Sequence, residues 1–142
     1  MERIKLNLPE TFAFSTNLTI RVTDLNYGGH VGNDTFLALI HEARQQFLIH
    51  HGYTEFNFAG VALIMSDVAI EFKKELNYGD VVEISVAATG FDKYGFDVFY
   101  KMEIVRGDET ILAGKAKTGM QCYDYTNKKL VRVPEEVKER MG

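Results

Sequence analysis

Between Leu18 and Thr23 apolar and polar residues alternate one for one, with Leu18, Ile20 and Val22 set against Thr19, Arg21 and Thr23. That two-residue period predicts a half-buried strand over 13–24. From Asp34 the period changes. Phe36, Leu39, Ile40, Ala43 and Phe47 recur at helical spacing, and Leu37 and Leu48 widen the stripe. This predicts an amphipathic helix over 34–50. Asn33 or Asp34 supplies its N-cap, and Gly52 ends it. His50 and His51 fall in the last turn, where positive charge suits the helix dipole. Arg44 projects within the apolar arc, where a charge needs a partner or a route to water. Asp24 is the partner expected.

Beyond Gly60 the two-residue period returns and stays. It predicts strands over 61–74, 81–91, 96–105 and 110–125. Val68, Ile70 and Phe72 share one face of the first, and Leu112, Ala116, Met120 and Cys122 one face of the last. Asn77-Tyr78-Gly79-Asp80, Asp92-Lys93-Tyr94-Gly95 and Arg106-Gly107-Asp108 have turn composition. A further turn precedes Leu130–Val133, and Pro134-Glu135-Glu136 opens a short helix. Residues 1–12 read as an irregular lead-in containing Pro9. One strand, a long helix and four strands make an α+β domain spanning 1–142, without repeat or linker. The economical packing is an antiparallel five-stranded sheet wrapped around one long central helix. A single helix leaves the other face and an edge of that sheet to be covered, so a homodimer is expected, with a dimer of dimers left open.

Composition narrows the class. The formal net charge of -4 argues against nucleic-acid binding. No apolar run reaches membrane-spanning length, and Met1-Glu2-Arg3-Ile4-Lys5 is too polar for a secretory signal. A lone cysteine, Cys122, fits a reducing cytoplasm and reads as a small buried residue. His41, His50 and His51 lack a matching set of carboxylates or cysteines, so neither metal nor cofactor is expected.

The chemistry concentrates where the first strand meets the helix, in Asp24-Leu25-Asn26-Tyr27-Gly28-Gly29-His30-Val31-Gly32-Asn33. Unpaired N–H groups at a helix start carry partial positive charge and can hold a polarised carbonyl oxygen. His30 can activate water, or can be a helix-start residue bonded to the backbone. Asn26 can order water or donate to an oxyanion, or can simply close its own turn. Gly28, Gly29 and Gly32 allow close approach of a ligand and equally a sharp reversal. Asp24 can orient His30, though pairing with Arg44 is preferred. Glu42 projects from the apolar stripe and reads as a solvated carboxylate. Lys73, Lys74, Lys93 and Arg106 suit a ligand's phosphates or plain solvation.

The joint, together with His41-Glu42-Ala43-Arg44, Glu71-Phe72 and Tyr78-Gly79-Asp80, resembles the hotdog-fold acyl-CoA thioesterases of the 4-hydroxybenzoyl-CoA thioesterase type. The resemblance implies a dimer with active sites at its interface, and hydrolysis of an acyl thioester carried by coenzyme A or acyl carrier protein. It places the family's catalytic aspartate on Asn26 and the oxyanion-holding N–H near Asn33. Asp24, Tyr27, Gly28, Gly29 and Gly32 would then line the substrate. Asparagine is neither a carboxylate nucleophile nor a base, so His30, which matches a histidine of acyl-carrier-protein thioesterases of this fold, is the base expected. Two other readings follow. One is a non-catalytic module that binds acyl thioesters. The other is an enoyl-CoA hydratase, whose Asp-x-Asn-x-x-His is similar to Asp24-x-Asn26…His30 but one residue shorter.

Overall fold

A computed structural model describes residues 1–142. Strand β1 (Phe14–Thr19) is followed by helix α1 (Asn33–His50), then by β2 (Ala62–Phe72), β3 (Val81–Thr89), β4 (Gly95–Arg106) and β5 (Glu109–Asp124). A two-residue strand β6 (Lys129–Leu130) and a second helix α2 (Glu135–Met141) complete the chain. The strands form one antiparallel sheet in the order β1-β3-β4-β5-β2, with β6 paired to the end of β5. The expected five strands are present and a sixth is added. The short helix expected after Pro134 is present as α2, and because it buries Val137 and Met141 in the same core, the expectation of a sheet wrapped around one helix alone needs correcting.

Alternation explains the packing. Val82, Ile84 and Val86 of β3 pair in register with Ile104, Met102 and Tyr100 of β4 and are fully buried. Phe36, Leu39, Ile40, Ala43, Phe47 and Leu48 of α1 join them in one core. Burying each of the Val, Ile, Leu, Met and Phe side chains among them contributes roughly 1.5–3 kcal/mol against the entropy of ordering the chain. The helix therefore covers the inner face of the sheet as its stripe requires. Its N-cap is Gly32, which makes no side-chain bond, and not Asn33 or Asp34. Arg44 is buried as expected, but its partner is Glu55, 3.1 Å away, and not Asp24. Its guanidinium also donates to the Tyr100 hydroxyl (3.1 Å), which in turn bonds Thr118 (2.7 Å).

Three register details depart from simple alternation. The first strand stops at Thr19, and Val22–Asp24 form a single 3-10 turn that leaves Val22 exposed. A bulge in β5 turns Ala113 inward and sets Leu112 opposite Glu103, so Leu112 leaves the face of Ala116 and Met120. A second irregularity in β2 lies between Met65 and Asp67. The lead-in, though irregular, lies on the outer face of the sheet. Leu6 donates its N–H to the Glu71 carboxylate, Lys115 donates to the Leu6 carbonyl, and the Lys101 ammonium stands over Phe12. It thus supplies part of the cover that the outer face needed.

Candidate active site

The segment between β1 and α1 folds into a tight loop because its polar groups satisfy one another. Asn26 N–H donates to the His30 carbonyl (2.8 Å), and Gly29 N–H donates to the Asn26 carbonyl (3.1 Å). The Asn26 carboxamide oxygen accepts from Gly28 N–H at 2.9 Å and from His30 N–H at 3.4 Å. Gly29 sits at φ +76°, a left-handed conformation that glycine adopts without strain. The turn-closing reading of Asn26 is thus realised by its oxygen. Its Nδ2 donates to nothing within the chain.

Directly after the loop, the N–H groups of Asn33 and Asp34 also lack an acceptor within the chain, whereas Thr35 and Phe36 donate to the Gly32 carbonyl. Asn26 and Asn33, though not Asp34, line a cleft of about 420 Å³ together with His30, Val31, Gly32, Phe36, Phe72, Lys73, Lys74 and Glu75. One wall is the joint. The other is the segment that follows β2.

That second wall is held from several directions. The Ala113 carbonyl at the β5 bulge accepts from both Lys73 N–H (2.9 Å) and Lys74 N–H (3.0 Å), which turns the chain out of β2. Leu76 is fully buried, and its carbonyl accepts from Val31 N–H at 3.1 Å. Arg106 reaches from β4 and donates to the Glu75 carbonyl (3.0 Å) and to the Asp80 carboxylate (2.8 Å), which also accepts from Asn77 N–H (2.7 Å). The outcome is that two side chains of this segment meet His30. Its Nδ1 lies 3.2 Å from the Asn77 carboxamide oxygen, and its Nε2 lies 3.4 Å from a Glu75 carboxylate oxygen.

Of the residues expected at the site, Asn26, His30, Gly32 and Asn33 come together in this cleft. Asp24 does not reach His30. Its carboxylate accepts the Arg21 N–H at 2.8 Å and faces the Arg21 guanidinium at 3.5 Å. It lines a separate groove of about 540 Å³ beside Leu18, Thr35 and Glu42. Glu42 is exposed and accepts from Gln46 at 2.8 Å. The Tyr27 side chain stands wholly in solvent, and Gly28 and Gly29 shape the loop without lining the cleft. Glu75 and Asn77 were not anticipated, and no local spacing links them to a histidine more than forty residues earlier. Lys73 pairs with Glu71 at 3.0 Å. No three His, Cys, Asp or Glu side chains stand close enough together to hold a metal ion.

Comparison with known proteins bears on the same region. The model of the thioesterase-like superfamily matches residues 20–141. A 1,4-dihydroxy-2-naphthoyl-CoA hydrolase of Microcystis aeruginosa is 28% identical over 126 residues, which is 87% of this chain and 88% of that protein. Among solved structures, a 1,4-dihydroxy-2-naphthoyl-CoA thioesterase from Synechocystis superposes with a TM-score of 0.79 at 20% identity, covering 90% of this chain and 94% of the other. An aspartate-to-asparagine mutant of 4-hydroxybenzoyl-CoA thioesterase, complexed with 4-hydroxybenzoyl-CoA, superposes with a TM-score of 0.81 at 16% identity, covering 91% and 98%. The two structural likenesses establish the fold, that of the hotdog-type thioesterases.

Proposed function

We propose, since the chain belongs to the thioesterase-like superfamily, that it hydrolyses an acyl-CoA thioester to the free acid and coenzyme A. The observation that carries this reading is the meeting, in one cleft, of unpaired donors at the start of α1 with a cluster of proton-accepting side chains around His30. Thioester hydrolysis needs both. Attack of water turns the carbonyl oxygen into an oxyanion, which the Asn33 N–H, the Asn26 Nδ2 and the helix dipole stabilise. The water must also lose a proton as it attacks, and the His30 cluster supplies the base. Gly32 lets the acyl carbonyl approach the backbone. Phe36 and Phe72 give the acyl group an apolar wall, and Lys74 at the rim suits an anionic carrier.

The related hydrolases act on aromatic acyl-CoAs, so these head the substrate panel, with short, medium and long aliphatic acyl-CoAs and acyl carrier protein thioesters beside them. The working unit in this proposal is a homodimer in the cytoplasm. No helix is long and apolar enough to cross a membrane. The test is release of free thiol from that panel by the wild type and by His30→Ala and Asn26→Ala. Turnover on one class, reduced roughly 100-fold by His30→Ala, is the outcome expected for loss of a general-base cluster. Retained turnover in both variants would remove the site assignment. The second reading, an acyl-thioester-binding module, draws on the commitment of Asn26 to its own turn, and tight coenzyme A binding without thiol release on any substrate would favour it.

A further inference from the structure

The histidine in this cleft is badly placed to act as the base itself. A neutral imidazole offers one acceptor nitrogen, and here each ring nitrogen already faces a side-chain oxygen, Asn77 at Nδ1 and Glu75 at Nε2. To take a proton from water, His30 must give up one of them. Among the cleft-lining residues Glu75 is the sole carboxylate. One of its oxygens lies near His30 Nε2, and the other has no partner within the chain. Its main chain is fixed by the Arg106 fork and by buried Leu76 next to it, so a water-exposed side chain grows from an anchored backbone. A merely solvated surface glutamate would need neither this anchoring nor a position opposite unpaired oxyanion donors.

We propose that Glu75 is the catalytic base of this site and that His30, held by Asn77, is its positioning residue. The inference rests on the hydrolase reading above. Glu75 takes a proton from water as the water oxygen bonds to the thioester carbonyl carbon. The electron pair moves to the carbonyl oxygen, held by the Asn33 N–H and Asn26 Nδ2. Collapse re-forms the carbonyl and breaks the C–S bond. The departing thiolate takes the proton from the Glu75 carboxylic acid, which returns the carboxylate. His30 donates to Glu75 throughout and exchanges no net proton. Glu75 therefore supplies the carboxylate that the joint lacks at Asn26.

The deciding experiment compares kcat and KM of the full chain on its best acyl-CoA for wild type, Glu75→Gln, Glu75→Asp, His30→Gln and Glu75→Gln combined with Asn26→Asp, with far-UV circular dichroism as the check on folding. Glu75→Gln is expected to lower kcat by at least roughly 100-fold with KM changed less than about 3-fold, the range for a lost general base. Glu75→Asp should retain part of the activity, and His30→Gln should be the milder of the two glutamine variants. Asn26→Asp removes the Nδ2 donor assigned to the oxyanion, so adding it to Glu75→Gln should lower kcat further, and a double variant more active than Glu75→Gln would overturn that donor's role. A Glu75→Gln enzyme within about 3-fold of wild type, or one less impaired than His30→Gln, overturns the role of Glu75 and leaves the hydrolase reading standing. Failure of the wild type to release thiol from any acyl-CoA overturns both.

Discussion

Cys122 has no exposed surface, and burial pushes its thiol from about 9 up to about 12. The native protein therefore keeps its proton over a range in which the unfolded chain releases it. Fewer protons on the unfolded state make stability fall as pH rises through that window. The expected outcome is a native thiol silent to a thiol-specific reagent at pH 8, labelled only in denaturant, and a melting temperature that declines between pH 9 and 12 more in wild type than in Cys122→Ala. Labelling of the native protein at the unfolded rate would contradict the assignment. Residues of this kind are legible without a structure, because a lone cysteine in register with Ala116 and Met120 has one natural place, the core. Asn26 and His30 were legible for a different reason. Polar groups packed between glycines at a helix start have to satisfy each other or a ligand, and here the Asn26 oxygen closes the turn while its Nδ2 has no partner within the chain. Glu75 and Asn77 were not. Their bond-making partner lies 45 and 47 positions away, respectively, and only the return of the chain after β2 brings them to it.

At the scale of elements, the segment 73–80 decides whether the cleft has a second wall. It carries no regular structure, and the Arg106 fork to the Glu75 carbonyl and the Asp80 carboxylate ties it to β4. Arg106→Met preserves much of the side-chain volume and removes both donors. The ion pair is about a third exposed on the arginine side, so the loss in global stability should be no more than about 1 kcal/mol. Turnover should fall much further, because a small misplacement of the groups around His30 is costly to catalysis. Amide exchange gives the structural half of the test. The Asn77 and Val31 N–H groups, bonded to Asp80 and to the Leu76 carbonyl, should lose protection while those of β3 and β4 keep theirs. Unchanged exchange at Asn77 would mean that Leu76 burial and the backbone bonds to Ala113, Val31 and Ile20 hold the segment without Arg106. The elements themselves were mostly readable from period, and the misreadings have local causes. Alternation carries on through Val22, but the Asp24 carboxylate caps the Arg21 N–H and bends the chain into a 3-10 turn instead. The bulge at Ala113 inserts a residue that alternation cannot reveal, and its carbonyl is the group that turns Lys73 and Lys74 into the cleft.

The edge strand β2 leaves an apolar surface that its own chain does not cover. Val68, Ile70 and Phe72 lie on the inner face of the sheet, as their alternation requires. Because β2 is the edge strand, Val68 remains 41% exposed and Phe72 49%, with Met65 beside them at 41%. The other edge, β1, is six residues long, whereas β2 runs for eleven. A long edge strand with an apolar flank invites pairing with a second chain, and a twofold axis lets one patch serve both copies. Antiparallel pairing of β2 with its copy would continue the sheet and bury this flank. It would also close the Phe72 side of the cleft from solvent, so assembly and activity should fail together. Val68→Lys places a charge on the flank without touching the monomer core. Analytical ultracentrifugation at micromolar concentration should find a dimer for wild type and a monomer for Val68→Lys, with unchanged circular dichroism and turnover reduced well beyond any change in stability. A dimer that survives Val68→Lys would move the interface elsewhere, and a monomeric variant with full turnover would mean that each cleft is complete within one chain.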